Sequence, residues 1–161
     1  GWDHPWARLG LEFTAPLGAG RVSWFGTGPE ENYPDSHAAA RVGRFARDVH
    51  DLVTEYAVPQ ESGHRADLRS VALEGLGFAV ETECVGPYEQ RPGFTIREHS
   101  VAQVAAATHP HELPAPERTH LVFDVAQHGV GTRSCGPDVR PEYQLRPRSG
   151  TWKLGFTISD S

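Results

Sequence analysis

The chain has 161 residues, 38% of them hydrophobic, with 15 Lys and Arg against 21 Asp and Glu for a net charge of −6. That length gives one domain with a sizeable core, and the acidic balance excludes nonspecific binding to nucleic acid or anionic membranes, both of which need clustered Lys and Arg. No apolar run approaches membrane-spanning length, so a soluble chain is expected; the start at Gly1-Trp2 is not signal-like and there is no Met anywhere, as loss of a leader or origin in a longer polypeptide would both produce.

Period-two alternation dominates the chain. Leu9, Leu11 and Phe13 alternate with Arg8, Gly10 and Glu12. Residues 22–35, V-S-W-F-G-T-G-P-E-E-N-Y-P-D, predict a strand leading into a rigid, shaped loop. Gly26, Gly28, Pro29 and Pro34 restrict its backbone there, and Glu30, Glu31, Asn32 and Asp35 are placed to bond neighbouring backbone. Residues 36–45 could form a turn of helix before the chain becomes extended again.

Val71 and Leu73, then Phe78, Val80 and Thr82, predict two further strands. Phe94 with Ile96, Leu121 with Phe123 and Val125, and Trp152 with Leu154, Phe156 and Ile158 predict three more. Ser100 to Gln103 is a capping box opening a short helix near 100–108, and Pro110 stops it. With 17 Gly and 13 Pro punctuating the strands, the expected class is an all-β antiparallel sandwich.

Four blocks carry a resemblance. The first is residues 22–35. The second, V-P-Q-E-S-G-H-R-A-D-L-R from Val58 to Arg69, is similar to a Pro-Gln-Glu-Asn-Gly-x-Arg-x-Asp segment, with Ser62 in place of Asn. The third runs from Thr95 to Glu112 through His109-Pro110-His111. The fourth, Asp124 to Leu145, holds G-V-G-T-R-S-C-G-P-D-V-R-P-E-Y-Q-L. In this order the blocks resemble the C-terminal domain of glycoside hydrolase family two β-galactosidases.

The resemblance implies a sandwich that is roughly the second half of a supersandwich related to galactose mutarotases, with the first strands of its sheets missing. It implies that acid/base and nucleophile glutamates lie in a separate (β/α)8 barrel, so no catalytic residue is expected here. It also implies that Mg and Na serve other domains, with no cofactor in this chain. Partners are then the remaining domains, a galactoside substrate and further subunits of a homo-oligomer, in the cytoplasm. Family members present a sugar-stacking tryptophan near this domain's end, and its position falls on His120. Imidazole is a smaller, polar platform that can also hydrogen-bond a hydroxyl. Either His120 lines the substrate pocket, or a neighbour such as Trp152 or a residue of another domain does so and His120 is an ordinary strand-edge residue.

Other candidates read more simply. His109-Pro110-His111 with Glu112 offers too few converging ligands for a metal site. Glu30, Glu31 and Asp35 are crowded in one polar turn, unlike a glycosidase pair set across a sugar. Glu61, Arg65, Asp67 and Arg69 suggest a salt-bridged strand face. Ser134-Cys135-Gly136 lacks the strand–turn–helix context of a nucleophile elbow. Glu142 to Leu145 suggests a turn into a strand, with Tyr143 and Leu145 facing the core. Cys84 and Cys135 are expected as reduced thiols, with pairing left open. A carbohydrate-binding module using Trp2, Trp6, Trp24 and Trp152, or a mutarotase-like epimerase, are the alternative functions.

Overall fold

Two faces of unlike chemistry organise the molecule: an apolar layer trapped between two antiparallel sheets, and a polar layer on the outside of the smaller one. We describe them from a computed structural model, which covers residues 4–18, 20–75, 78–82, 91–131, 136–151 and 153–158. The strands are β1 (Arg8–Pro16), β2 (Arg21–Gly28), β3 (Arg41–Asp48), β4 (Ser70–Glu74), β5 (Phe78–Thr82), β6 (Gly93–Arg97), β7 (Arg118–Gln127) and β8 (Leu154–Ile158). They form a three-stranded sheet, β1-β7-β6, and a five-stranded sheet, β3-β2-β4-β5-β8, with antiparallel pairing throughout. This is the all-β sandwich that the alternation predicts.

Val22 and Trp24 on β2, Val71 and Leu73 on β4, and Val80 on β5 meet Phe94 and Ile96 of β6 and Leu121 and Phe123 of β7 in one buried cluster. The Trp24 and Phe94 rings cross edge to face at 5.8 Å, joining the sheets at one side. At the other side β1 faces β8, and Phe13 meets Phe156 at 5.2 Å. That rim is only partly covered: Leu11, Phe13 and Phe156 remain 40%, 37% and 41% exposed.

The predicted helix is α1 (Val101–Ala106). Ser100 Oγ accepts from the Gln103 amide at 3.1 Å, and Gln103 Oε1 accepts from the Ser100 amide at 2.8 Å. It ends two residues before the expected limit because the Thr108 amide donates to Glu112 Oε2 at 2.7 Å instead of to a helix carbonyl.

Two expectations were not met. Residues 36–45 hold no helix: one turn, closed by the Ala40 amide on the His37 carbonyl at 3.0 Å, leads directly into β3. A three-alanine run is too short to nucleate a helix, and pairing with β2 from Arg41 to Asp48 takes the backbone instead. Residues 142–145 do not enter a strand. A 3₁₀ turn at Pro141–Tyr143 is followed by extended chain, whose Leu145 carbonyl accepts from the Trp6 amide at 2.9 Å. Leu145 is buried as expected, whereas Tyr143 is only half-buried. Cys84, Cys135, Ser134 and Trp152 lie outside the described residues.

Gly93 sets the distance between a loop and the smaller sheet. A Cβ there would stand 2.3 Å from His64 Cε1 and 2.9 Å from the Arg65 carbonyl. Gly93→Ala is expected to lower stability by about 1–3 kcal/mol, the usual cost of overpacking, measured by urea unfolding. An unchanged midpoint would show that the loop can lift off the sheet freely.

Candidate functional site

The segment after β2 is held by side chains from the second signature block. Asn32 is buried, and its Oδ1 accepts from the Ala66 amide at 3.1 Å while its Nδ2 donates to the Glu30 carbonyl at 3.0 Å. The Thr27 hydroxyl lies 2.8 Å from that Oδ1 and 2.6 Å from the Ala66 carbonyl. Arg65, only 1% exposed, donates to the carbonyls of Gly63 (2.8 Å), Pro29 (3.3 Å) and Leu52, and its guanidinium lies 5.4 Å from the Trp24 ring. Burial pulls its pKa down to about 10, so it keeps its charge at neutral pH. The expected salt-bridged strand face is thus corrected for Arg65, which serves carbonyls in the interior; Asp67 pairs with Arg69 at 3.0 Å and Glu61 with Arg8 at 2.9 Å, in the segment before β4.

The acids of the first block do separate jobs. Glu31 accepts from the Gly63 amide at 2.6 Å and from the hydroxyls of Tyr56 and Tyr33. Glu30 is exposed and pairs with Arg47. Asp35 reaches the fourth block, accepting from the amides of Val130 (3.1 Å) and Gly131 (2.7 Å). A Cβ at Gly129 would stand 2.4 Å from the Asp35 carboxyl carbon, and Gly131 has φ of 62°. Gly129 thus leaves room for this carboxylate, and Gly131 takes the left-handed backbone that lets the loop close around it. Glu31 and Asp35 thus bond distant amides and Glu30 a distant guanidinium, not the neighbouring backbone suggested by their crowding.

The outer face of the smaller sheet carries the polar residues. Thr95, Arg97 and Asp124 are buried beneath the loop holding Glu61 and His64. Glu61 meets Arg8 at 2.9 Å and Arg97 at 3.6 Å, while Asp124 Oδ2 lies 3.1 Å from Arg8 and 3.5 Å from His64 Nδ1. His64 stacks on Tyr33 with ring centres 5.5 Å apart. The sheet pairs His120 with Thr14 on one side and Arg97 on the other. His120 is 14% exposed in its side chain, and its Nδ1 lies 3.2 Å from Glu12 Oε1. Arg97 also borders a cleft of about 460 Å³ between the segment around Val53 and Tyr56 and the proline-stiffened loop at Leu113 and Pro114.

His109 and His111 stack at 5.4 Å over a 3₁₀ turn, Pro110–Glu112. Glu112 accepts from Thr108 and His109, and the Thr108 amide, the largest influence, pulls its carboxyl below the usual range. The segment thus has a local structural role. Among the described residues, the group able to converge on a metal ion is the exposed trio Asp48, His50 and Asp51, which the histidine pattern does not suggest. Trp24 is in the core and so offers no platform for a sugar.

The chain matches, over residues 2–158, the family described as beta galactosidase small chain. It belongs to that family. It is 42% identical over 159 residues to a beta-galactosidase of Arthrobacter sp. (strain B7), covering 96% of this chain and 15% of that protein. A beta-galactosidase of Vibrio cholerae is 37% identical over 98% of this chain and 14% of its own length. One of Halalkalibacterium halodurans is 35% identical over 84% of this chain and 13% of its own length. The chain thus spans about 15% of the length of the curated relatives it matches. Within this small-chain fold, the first and second blocks lock onto each other through Arg65 and Asn32, and the first and fourth through Asp35. No helix among the described residues is long and apolar enough to cross a membrane.

Asp35→Ala is expected to cost about 1–3 kcal/mol, the range for charge-assisted bonds, and to speed hydrogen exchange at Val130 and Gly131. Equal exchange in the variant would remove Asp35 as the loop's clamp.

Tyr56 provides a pH test. Its bond to Glu31 and its partial burial push the phenol up to about 12. A raised folded pKa favours the protonated form, so the contribution is present below the unfolded value of about 10 and lost as pH rises through about 12. The difference in tyrosinate absorbance between the wild type and Tyr56→Phe should have its midpoint near 12 and fall toward 10 in Glu31→Gln.

Proposed function

We propose that this chain is a supporting part of a β-galactosidase that hydrolyses terminal β-D-galactosyl bonds with retention, packing against the other domains and supplying one wall of the sugar pocket at His120. The observation that carries the reading is the match across residues 2–158 to the small-chain family, whose relatives here are beta-galactosidases several times longer. Bond cleavage falls to two glutamates of a barrel elsewhere in the parent protein, and the Mg and Na of such enzymes serve those other domains. We place the assembly in the cytoplasm, as a homo-oligomer.

The half-exposed rim at Leu11, Phe13 and Phe156 supports packing against another domain, because apolar side chains between two sheets normally have a cover. Unsupported, that rim and the edges of β1 and β8 should make the isolated chain self-associate or bind hydrophobic dyes. A monodisperse, dye-silent monomer by light scattering would count against the missing cover. For the sugar contact, His120→Ala in a full-length β-galactosidase carrying this segment should raise KM for lactose about 5–10-fold, as loss of one hydrogen bond to substrate does. An unaltered KM would remove His120 from the pocket, and galactoside hydrolysis by the purified 161-residue chain would overturn the supporting role.

A further inference from the structure

On the outer face of the smaller sheet the polar residues divide into two groups. At the Gly93 end the loop of Glu61 and His64 lies over Thr95 and Asp124, and the charges there contact one another. At the other end, Thr14, His120 and Arg97 form one row across three strands, the buried Arg97 reaching back to Glu61 at 3.6 Å, with Glu12 beside them opposite Val122. Glu12 stays 44% exposed in its side chain, so this end is open.

We infer that Glu12 is a positioning residue for His120, fixing the imidazole so that Nε2 faces the open end as a hydrogen-bond acceptor for a sugar hydroxyl. An ionised carboxylate only accepts hydrogen bonds. The nitrogen facing Glu12 Oε1 at 3.2 Å, Nδ1, therefore carries the proton. In the neutral ring that leaves the lone pair on Nε2, and among the described residues Nε2 has no hydrogen-bond partner. A hydroxyl donor matches this arrangement; a flat apolar ring face does not. The strand pairing makes the contact possible, since Glu12 and His120 are 108 positions apart in sequence and adjacent on one sheet face. This inference rests on the proposed place of His120 in the sugar pocket, and deepens it by naming the atom and the residue that aims it.

Long-range proton–nitrogen NMR of the chain reads the tautomer directly. The wild type should hold the proton of His120 on Nδ1, and Glu12→Ala should move it to Nε2, the form imidazole favours in water. Finding Nε2–H in the wild type overturns the inference. In a full-length β-galactosidase carrying this segment, Glu12→Ala should raise KM for lactose about 5-fold with the loss in KM and not in kcat. Glu12→Gln should lose less, because its amide oxygen still accepts from Nδ1. The double variant with His120→Ala should be no worse than His120→Ala alone, since Glu12 acts through the ring. If His120→Ala raises KM and Glu12→Ala does not, the positioning role fails while the sugar contact stands. If neither changes KM, the sugar contact fails, and the NMR result then stands as a test of the Glu12–His120 pair by itself: a proton on Nδ1 that moves in Glu12→Ala supports it, and any other result overturns it.

Discussion

The guanidinium of Arg65 is the interaction on which the rest of the molecule depends. It sits in the interior against Trp24 and donates to carbonyls of Pro29, Leu52 and Gly63, three points that are far apart along the chain. The bonds to Leu52 and Gly63 are buried, where a carbonyl without a donor would be costly. A buried cation usually answers to a carboxylate, but here several backbone dipoles share the charge. Because the guanidinium is planar and has five donors in fixed directions, it can hold three loops in one geometry, and a lysine could not. Asn32 repeats the device on a smaller scale, joining Ala66 and Glu30 through its amide.

With those loops fixed, the three-stranded sheet has two different faces. Its inner side chains, Phe94, Ile96, Leu121 and Phe123, complete the core with the larger sheet. Its outer side chains include Thr95, Arg97, Asp124, His120 and Glu12, polar groups that gain nothing from burial against apolar matter. Loop residues Glu61 and His64 contact and cover the inner part of that set, leaving Glu12 and His120 at its margin. The sandwich thus presents a polar margin on one sheet face and a half-covered apolar rim at Leu11, Phe13 and Phe156.

Much of this architecture was legible in the residues. Period-two alternation marks β1, β4, β5, β6 and β7, and the Ser100–Gln103 box marks the start of α1, because each depends only on near neighbours. β3 was obscured by the alanine run before it, and only pairing with β2 reveals its extended form. The role of Arg65 was misread for a related reason. A charged residue flanked by charges suggests an exposed ion-pair face, and only the fold shows that its partners are carbonyls. His120 was singled out through resemblance, but its neighbour Glu12 was not, since no local pattern links residues on strands β1 and β7. Asp35 was expected to bond its own turn, and its true partners lie in the Gly129–Gly131 loop.

That last pairing has a kinetic side. The Asp35 carboxylate and the Val130 amide are 95 positions apart, so their bond closes only after most of the polypeptide between them is in place. Closing so long a loop is entropically slow, and such contacts form late on the route to the native state. The corner at Gly129 to Gly131 is therefore expected to settle only once the strands between it and Asp35 have paired, which makes it a reporter of the finished sandwich.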